Sequence, residues 1–245
     1  MNENLIINIY VIIGIAAITQ GIFLGLYMFV KKRAYKTRAY LLGFLLLIFA
    51  FILIHDVLSY SRYMINVPYF LGLGPVFTFA IGPLIFLYVR FICIKGIRLK
   101  WIDILHFIPT IIVFLNRIKL FLLPKAEKVR KLKNAYTYID SDQKSNQTVA
   151  EALQHFAIWH LQPLVYLLLS LYLIHKYNNF IKQYFSDISK LQLSWMRILL
   201  YGYLLIWGIE SCFELFPVIF NIEGIYSKPV SIVLMSLHVF LFVII

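Results

Sequence analysis

Glu210 and Glu214 lie one helical turn apart inside the apolar run "LLYGYLLIWGIESCFELFPVIF". An unpaired carboxylate near the middle of a hydrocarbon layer costs several kcal/mol by order of magnitude, so each glutamate needs a proton or a partner. Candidate partners on other apolar segments are His55, His160 and His238, with Asp56 beside His55 and with Arg62 and Lys228 near the segment ends. Such a group can form a polar pocket that takes a ligand from outside. It can also act as a pH-responsive network if one glutamate keeps its proton. A third reading is an inter-helix hydrogen-bond clamp with no ligand, and Gln20 and Gln162 are open to the pocket and clamp readings alike. No H-x-x-x-H or C-x-x-C spacing is present, so no metal site and no cofactor are expected. Neither a nucleophile turn nor a phosphate-cradling glycine loop occurs, which argues against an enzyme.

The elements that must hold these residues follow from composition. The 245 residues are 62% hydrophobic and 14% charged, far from the balance of a soluble domain. Apolar stretches long enough to cross about 30 Å of hydrocarbon recur along the whole chain. The expected fold is all-α and polytopic, a single membrane domain over residues 1–245. Seven spans are predicted: Leu5 to Val30, Tyr40 to Tyr60, Phe70 to Ile94, Ile102 to Leu123, Phe156 to His175, Ile198 to Phe220, and Pro229 to Ile245. The fourth contains His106, Pro109, Asn116, Arg117 and Lys119 and reads as tilted or interrupted.

The net charge of +12 gathers between the spans. Lys31, Lys32, Arg33, Lys36 and Arg38 follow span one, Lys95, Arg98 and Lys100 follow span three, and Lys176, Lys182, Lys190 and Arg197 follow span five. The rule that basic loops stay inside predicts these loops to be cytoplasmic, with the N-terminus outside and the C-terminus cytoplasmic. The connection after span four carries Lys125, Lys128, Arg130, Lys131, Lys133 and Lys144 on the opposite side. Ala126, Val129, Leu132 and Tyr136 recur within it at near-helical spacing, as in an amphipathic helix lying on a surface or a helix with a solvated charged face.

Two further segments bear on mechanism. Gly82-Pro83 sits mid-span, where proline leaves the Phe79 carbonyl without its backbone donor, so a static bend or a hinge is expected. In "FSDISKLQLSWMR", Asp187 can cap a short helix, Ile188, Leu191 and Trp195 recur at helical spacing, and Lys190 and Arg197 face the headgroups. That segment reads either as a cytoplasmic coupling helix or as a plain interfacial anchor.

Three stretches taken in order, "FTFAIGPLIFLYVR", "LKWIDILHFIP" and "SDISKLQLSWMRILL", resemble the N-terminal membrane half of bacterial AraC-family transcriptional regulators. The resemblance runs from about span two to the end of the chain. It implies a sensory domain in the bacterial cytoplasmic (inner) membrane, whose signal reaches a cytoplasmic helix-turn-helix DNA-binding domain expected beyond residue 245. DNA would be contacted only through that domain. The implied partners are the lipid bilayer, an unknown signal ligand and a second copy in a homodimer. A small-solute transporter or channel, and the sensor of a histidine kinase, are the competing readings.

Overall fold

The computed structural model describes residues 5–30, 36–94, 96–140, 149–184, 193–220 and 227–241. Its helices are α1 (Ile9–Val30), α2 (Lys36–Tyr60), α3 (Leu73–Cys93), α4 (Ile108–Phe121), α5 (Lys125–Asp140), α6 (Val149–Tyr184), α7 (Ser194–Phe220) and α8 (Ser227–Leu241). Short 3-10 turns at Tyr63–Ile65 and Pro68–Phe70 join α2 to α3, and a longer one, Trp101–Phe107, leads into α4. No strand occurs among the described residues. Six helical segments are long and apolar enough to cross a membrane, and a shorter apolar helix covers Pro229–Leu241. The chain is thus an all-helical, multi-pass membrane protein.

Packing orders the helices in a ring. α1 lies between α2 and α8, α2 continues to α3, α3 to α6, α6 to α7, and α7 returns to α8, which also touches α2. Hydrocarbon competes with apolar side chains for apolar contacts, so close backbone approach must hold such helices together. α1 supplies it with a buried stripe of Gly14, Ala17, Gly21 and Gly25. A Cβ placed on Gly43 of α2 would lie 3.0 Å from the Gly25 carbonyl oxygen, so this crossing admits no side chain. The opposite face of α1 leaves Ile12, Ile15, Phe23 and Leu26 exposed, as a lipid-facing surface requires.

The tentative fourth span resolves into the Trp101–Phe107 turn followed by α4, with Pro109 in the first turn of α4, where its missing N–H costs nothing. None of α4 is buried, and it stands outside the ring against α3. α5 is a separate helix after Pro124. Its Leu132 and Tyr136 are buried against Met64, and the Tyr136 hydroxyl donates to the Ser59 carbonyl at 3.0 Å. Its apolar stripe therefore covers the α2–α3 connection of its own chain. Lys128, also buried, reaches back to the Phe121 carbonyl at the end of α4, 2.9 Å away. The predicted fifth span is the middle of α6, which runs 36 residues through Pro163. Lys176 and Lys182, expected in a loop, are on that helix.

The two ends of the bundle are distinct. At the Arg62 end, the Ile6 amide donates to the Ser61 carbonyl and Asn8 to the Tyr60 hydroxyl, beside α5. At the Trp101 end, α3 finishes, α7 begins and α8 finishes, with Leu241 of α8 close to Gly202 of α7.

Candidate functional site

The predicted pocket residues separate into three groups. His55 and Asp56 pair with each other at 3.2 Å near the Arg62 end of α2. His55 lies flat against Gly74 of α3, where any Cβ would come within 2.6 Å of the imidazole ring. Gln162 of α6 turns instead to α3, and its Nε2 donates at 2.9 Å to the Phe79 carbonyl. That is the carbonyl which Pro83 deprives of its helical donor. α3 therefore runs unbroken through Pro83, with the neighbouring helix filling the gap in its hydrogen-bond ladder. The adjacent Gly82 makes room for α6, since a Cβ there would meet Tyr166 at 3.0 Å.

The third group is a polar band on α6, α7 and α8. Glu210 accepts a long hydrogen bond of 3.4 Å from Ser231 of α8. The next residue, Ser211, faces the other way, toward His160 of α6 at 3.1 Å, while its hydroxyl also reaches the Trp207 carbonyl. His160 stacks on Phe156 and lies near Trp207. The Trp207 indole nitrogen is buried without a hydrogen-bond partner among the described residues. Glu214 is on the same helix, and its side chain falls outside the described residues.

Further along α8, toward the Trp101 end, His238 is 3% exposed and stacks on Phe49 of α2, with Tyr203 of α7 on another side. Its ring nitrogens reach only the backbone of Tyr203 and Leu234, without closing a hydrogen bond of good geometry. Beside it, between α2, α3, α7 and α8, is a cavity of about 20 Å³, room for one water. The band is thus polar, and within it the Trp207 indole nitrogen lacks a hydrogen-bond partner among the described residues. Incomplete pairing is what permits a second arrangement, because each unsatisfied group gains by finding a partner.

At the Trp101 end an ion pair and a cross-helix hydrogen bond join the polar groups, with the Arg90 Nε the one atom of the cluster buried without a partner among the described residues. Arg90, in the last turn of α3, meets Asp103 of the 3-10 turn at 2.7 Å, with the carboxylate side chain 4% exposed. Asp103 also accepts the Lys100 amide at 2.8 Å, which fixes the start of that turn. One turn further, His106 Nδ1 is 3.0 Å from the Tyr166 hydroxyl of α6. Phe86 of α3 closes the cluster, 5.2 Å from the His106 ring and 5.9 Å from Tyr166. Two of the stretches that carried the family resemblance are therefore bound to each other by side chains. Arg90, Asp103 and Tyr166 were not singled out in the sequence; a cation and a carboxylate flanking one apolar boundary was the available signal.

Of the expected coupling segment, Asp187 and Lys190 lie outside the described residues. Trp195 and Arg197 belong to the first turn of α7 itself, so the transmembrane helix starts earlier than Ile198. Leu193 and Met196 are buried there, and Trp195 packs half-buried on the same core. No cluster of three or more metal-binding side chains occurs among the described residues. Comparisons with protein-family models, with curated proteins and with solved structures give no match.

Proposed function

We propose that this chain is the membrane-embedded input domain of a bacterial transcriptional regulator. In this reading seven helices cross the cytoplasmic membrane, with the N-terminus outside, and a cytoplasmic AraC-type helix-turn-helix domain beyond residue 245 contacts DNA, as a homodimer. The observation that carries the proposal is the setting of α8. It packs on α1, α2 and α7 and bears Ser231 against Glu210 near one end and His238 among aromatic rings near the other. Any signal that changes how Glu210 is paired changes the seat of the helix that leads onward to the output. Met196, between Trp195 and Arg197 on the first turn of α7, lines the same cavity as Leu241 of α8, so in this reading a shift of α8 reaches that turn.

A ligand drives such a relay only through different affinities for two packings. In this reading the two packings differ in whether Ser231 of α8 stays within reach of Glu210. The test uses the full-length protein and a transcriptional reporter. Trp195→Ala combined with Arg197→Ala is expected to abolish the response while membrane insertion stays intact, and Glu210→Gln to shift the basal level. An unchanged reporter in both variants contradicts the proposal. The reading frame past residue 245 is expected to encode two helix-turn-helix units.

A further inference from the structure

At the Trp101 end a groove of about 380 Å³ lies between α2, α3 and the 3-10 turn. That volume is within the usual range for ligand clefts of roughly 300–1,000 Å³. Leu41, Leu87, Ile104 and Phe107 form its walls, and Lys100 and Trp101 stand at its rim. Asp103 also borders it, but this carboxylate is neutralised by Arg90 at 2.7 Å and by the Lys100 amide. The rim is therefore positive. Lys100 is exposed, and Arg38, one turn before Leu41 on α2, faces the Cys93 side chain at the end of α3.

We propose that this groove is a binding site for an anionic phospholipid, with an acyl chain along the Leu41–Leu87–Phe107 wall and the headgroup phosphate on Lys100. The occupant comes from the bilayer because Ile104, which lines the groove, is itself exposed and continues an apolar flank through Leu105 of the same turn to Ile108 and Ile111 of α4. Trp101, 88% exposed, is the kind of residue that settles at headgroup depth. A cation at that depth with an apolar slot beneath it matches a lipid whose net negative charge and chain enter together, whereas in a zwitterionic lipid the headgroup ammonium offsets the attraction of its phosphate to Lys100. The inference is independent of the transcriptional reading.

The probe is phosphatidylglycerol with brominated acyl chains, compared with equally brominated phosphatidylcholine at the same mole fraction in vesicles holding the full chain. A version in which Trp159, Trp195 and Trp207 are changed to Phe makes Trp101 the reporter. Quenching of Trp101 by phosphatidylglycerol is expected to be roughly fivefold stronger than by phosphatidylcholine, the contribution of one interfacial lysine. Lys100→Gln is expected to bring the ratio to about one. Equal quenching by the two lipids in the parent, or a preference that survives Lys100→Gln, overturns the proposal. If the single-tryptophan version does not fold, native mass spectrometry of the otherwise unaltered chain decides the matter. Retained phosphatidylglycerol, lost in Lys100→Gln, supports the site, and retention without headgroup preference overturns it.

Discussion

The Trp101 end and the α6–α7–α8 band draw on similar residue types, carboxylates, histidines and aromatics, with opposite results. At the Trp101 end Asp103 is paired with Arg90 at 2.7 Å and His106 with Tyr166 at 3.0 Å, across elements far apart in sequence. In the band a Ser231 hydroxyl reaches Glu210 at 3.4 Å, the Trp207 indole nitrogen is buried without a hydrogen-bond partner among the described residues, and the His238 nitrogens reach only the backbone of Tyr203 and Leu234. A closed network fixes one arrangement, since each alternative strands a charge. An open one has little to lose by rearranging. The difference teaches that polarity inside this bundle takes two forms: the Trp101 cluster ties α3, the 3-10 turn and α6 together through an ion pair and a hydrogen bond, whereas α8 is seated mainly by apolar packing with weaker polar contacts.

Breaking the closed region has the largest expected effect. Arg90→Met leaves Asp103 buried and unpaired and is expected to destabilise the bundle by ~3–5 kcal/mol. Adding Asp103→Leu removes the stranded charge and is expected to restore most of that loss, a non-additivity measurable by unfolding in denaturing detergent. Gly82→Val drives a branched side chain into Tyr166 and pulls the phenol from His106, costing about 1–3 kcal/mol in the same assay. Gln162→Leu removes the donor that satisfies the Phe79 carbonyl, and a loss of about 1 kcal/mol is expected.

The open region is expected to respond in the opposite manner. His238→Phe keeps the stack on Phe49 and removes two nitrogens that make only poor contacts with the Tyr203 and Leu234 backbone, so unfolding is expected to shift by less than about 1 kcal/mol. A loss as large as that of Arg90→Met would erase the distinction between the two regions.

Much of the ring was legible because hydrophobic length is a strong signal: the predicted first, second, third, sixth and seventh spans overlap α1, α2, α3, α7 and α8 closely, and the fifth falls within α6. The Phe79 carbonyl freed by Pro83 was also readable, because the i−4 relation is local. What supplies its donor was not, since Gln162 is distant in sequence and meets α3 only through tertiary packing. The α1–α2 contact depends on Gly14, Gly21, Gly25 and Gly43, whose spacing was in view, but whose meaning came only once the partner helix was known. α5 misled for a physical reason. A stripe of Leu132 and Tyr136 looks the same whether it faces lipid or the chain's own connection at Met64. The pocket candidates are polar positions in apolar helices, and those whose side chains are described lie in three separate places, since helical spacing says which face a residue is on and nothing about which helix that face meets.

Amide hydrogen exchange of the protein in lipid nanodiscs tests the division most directly. α8, Ser227–Leu241, is expected to exchange faster than α3, Leu73–Cys93, and Glu210→Gln is expected to change protection in α8 while leaving α3 as it was. Equal protection of the two helices, or a Glu210→Gln effect spread evenly over both, would contradict an adjustable α8 set against a fixed α3.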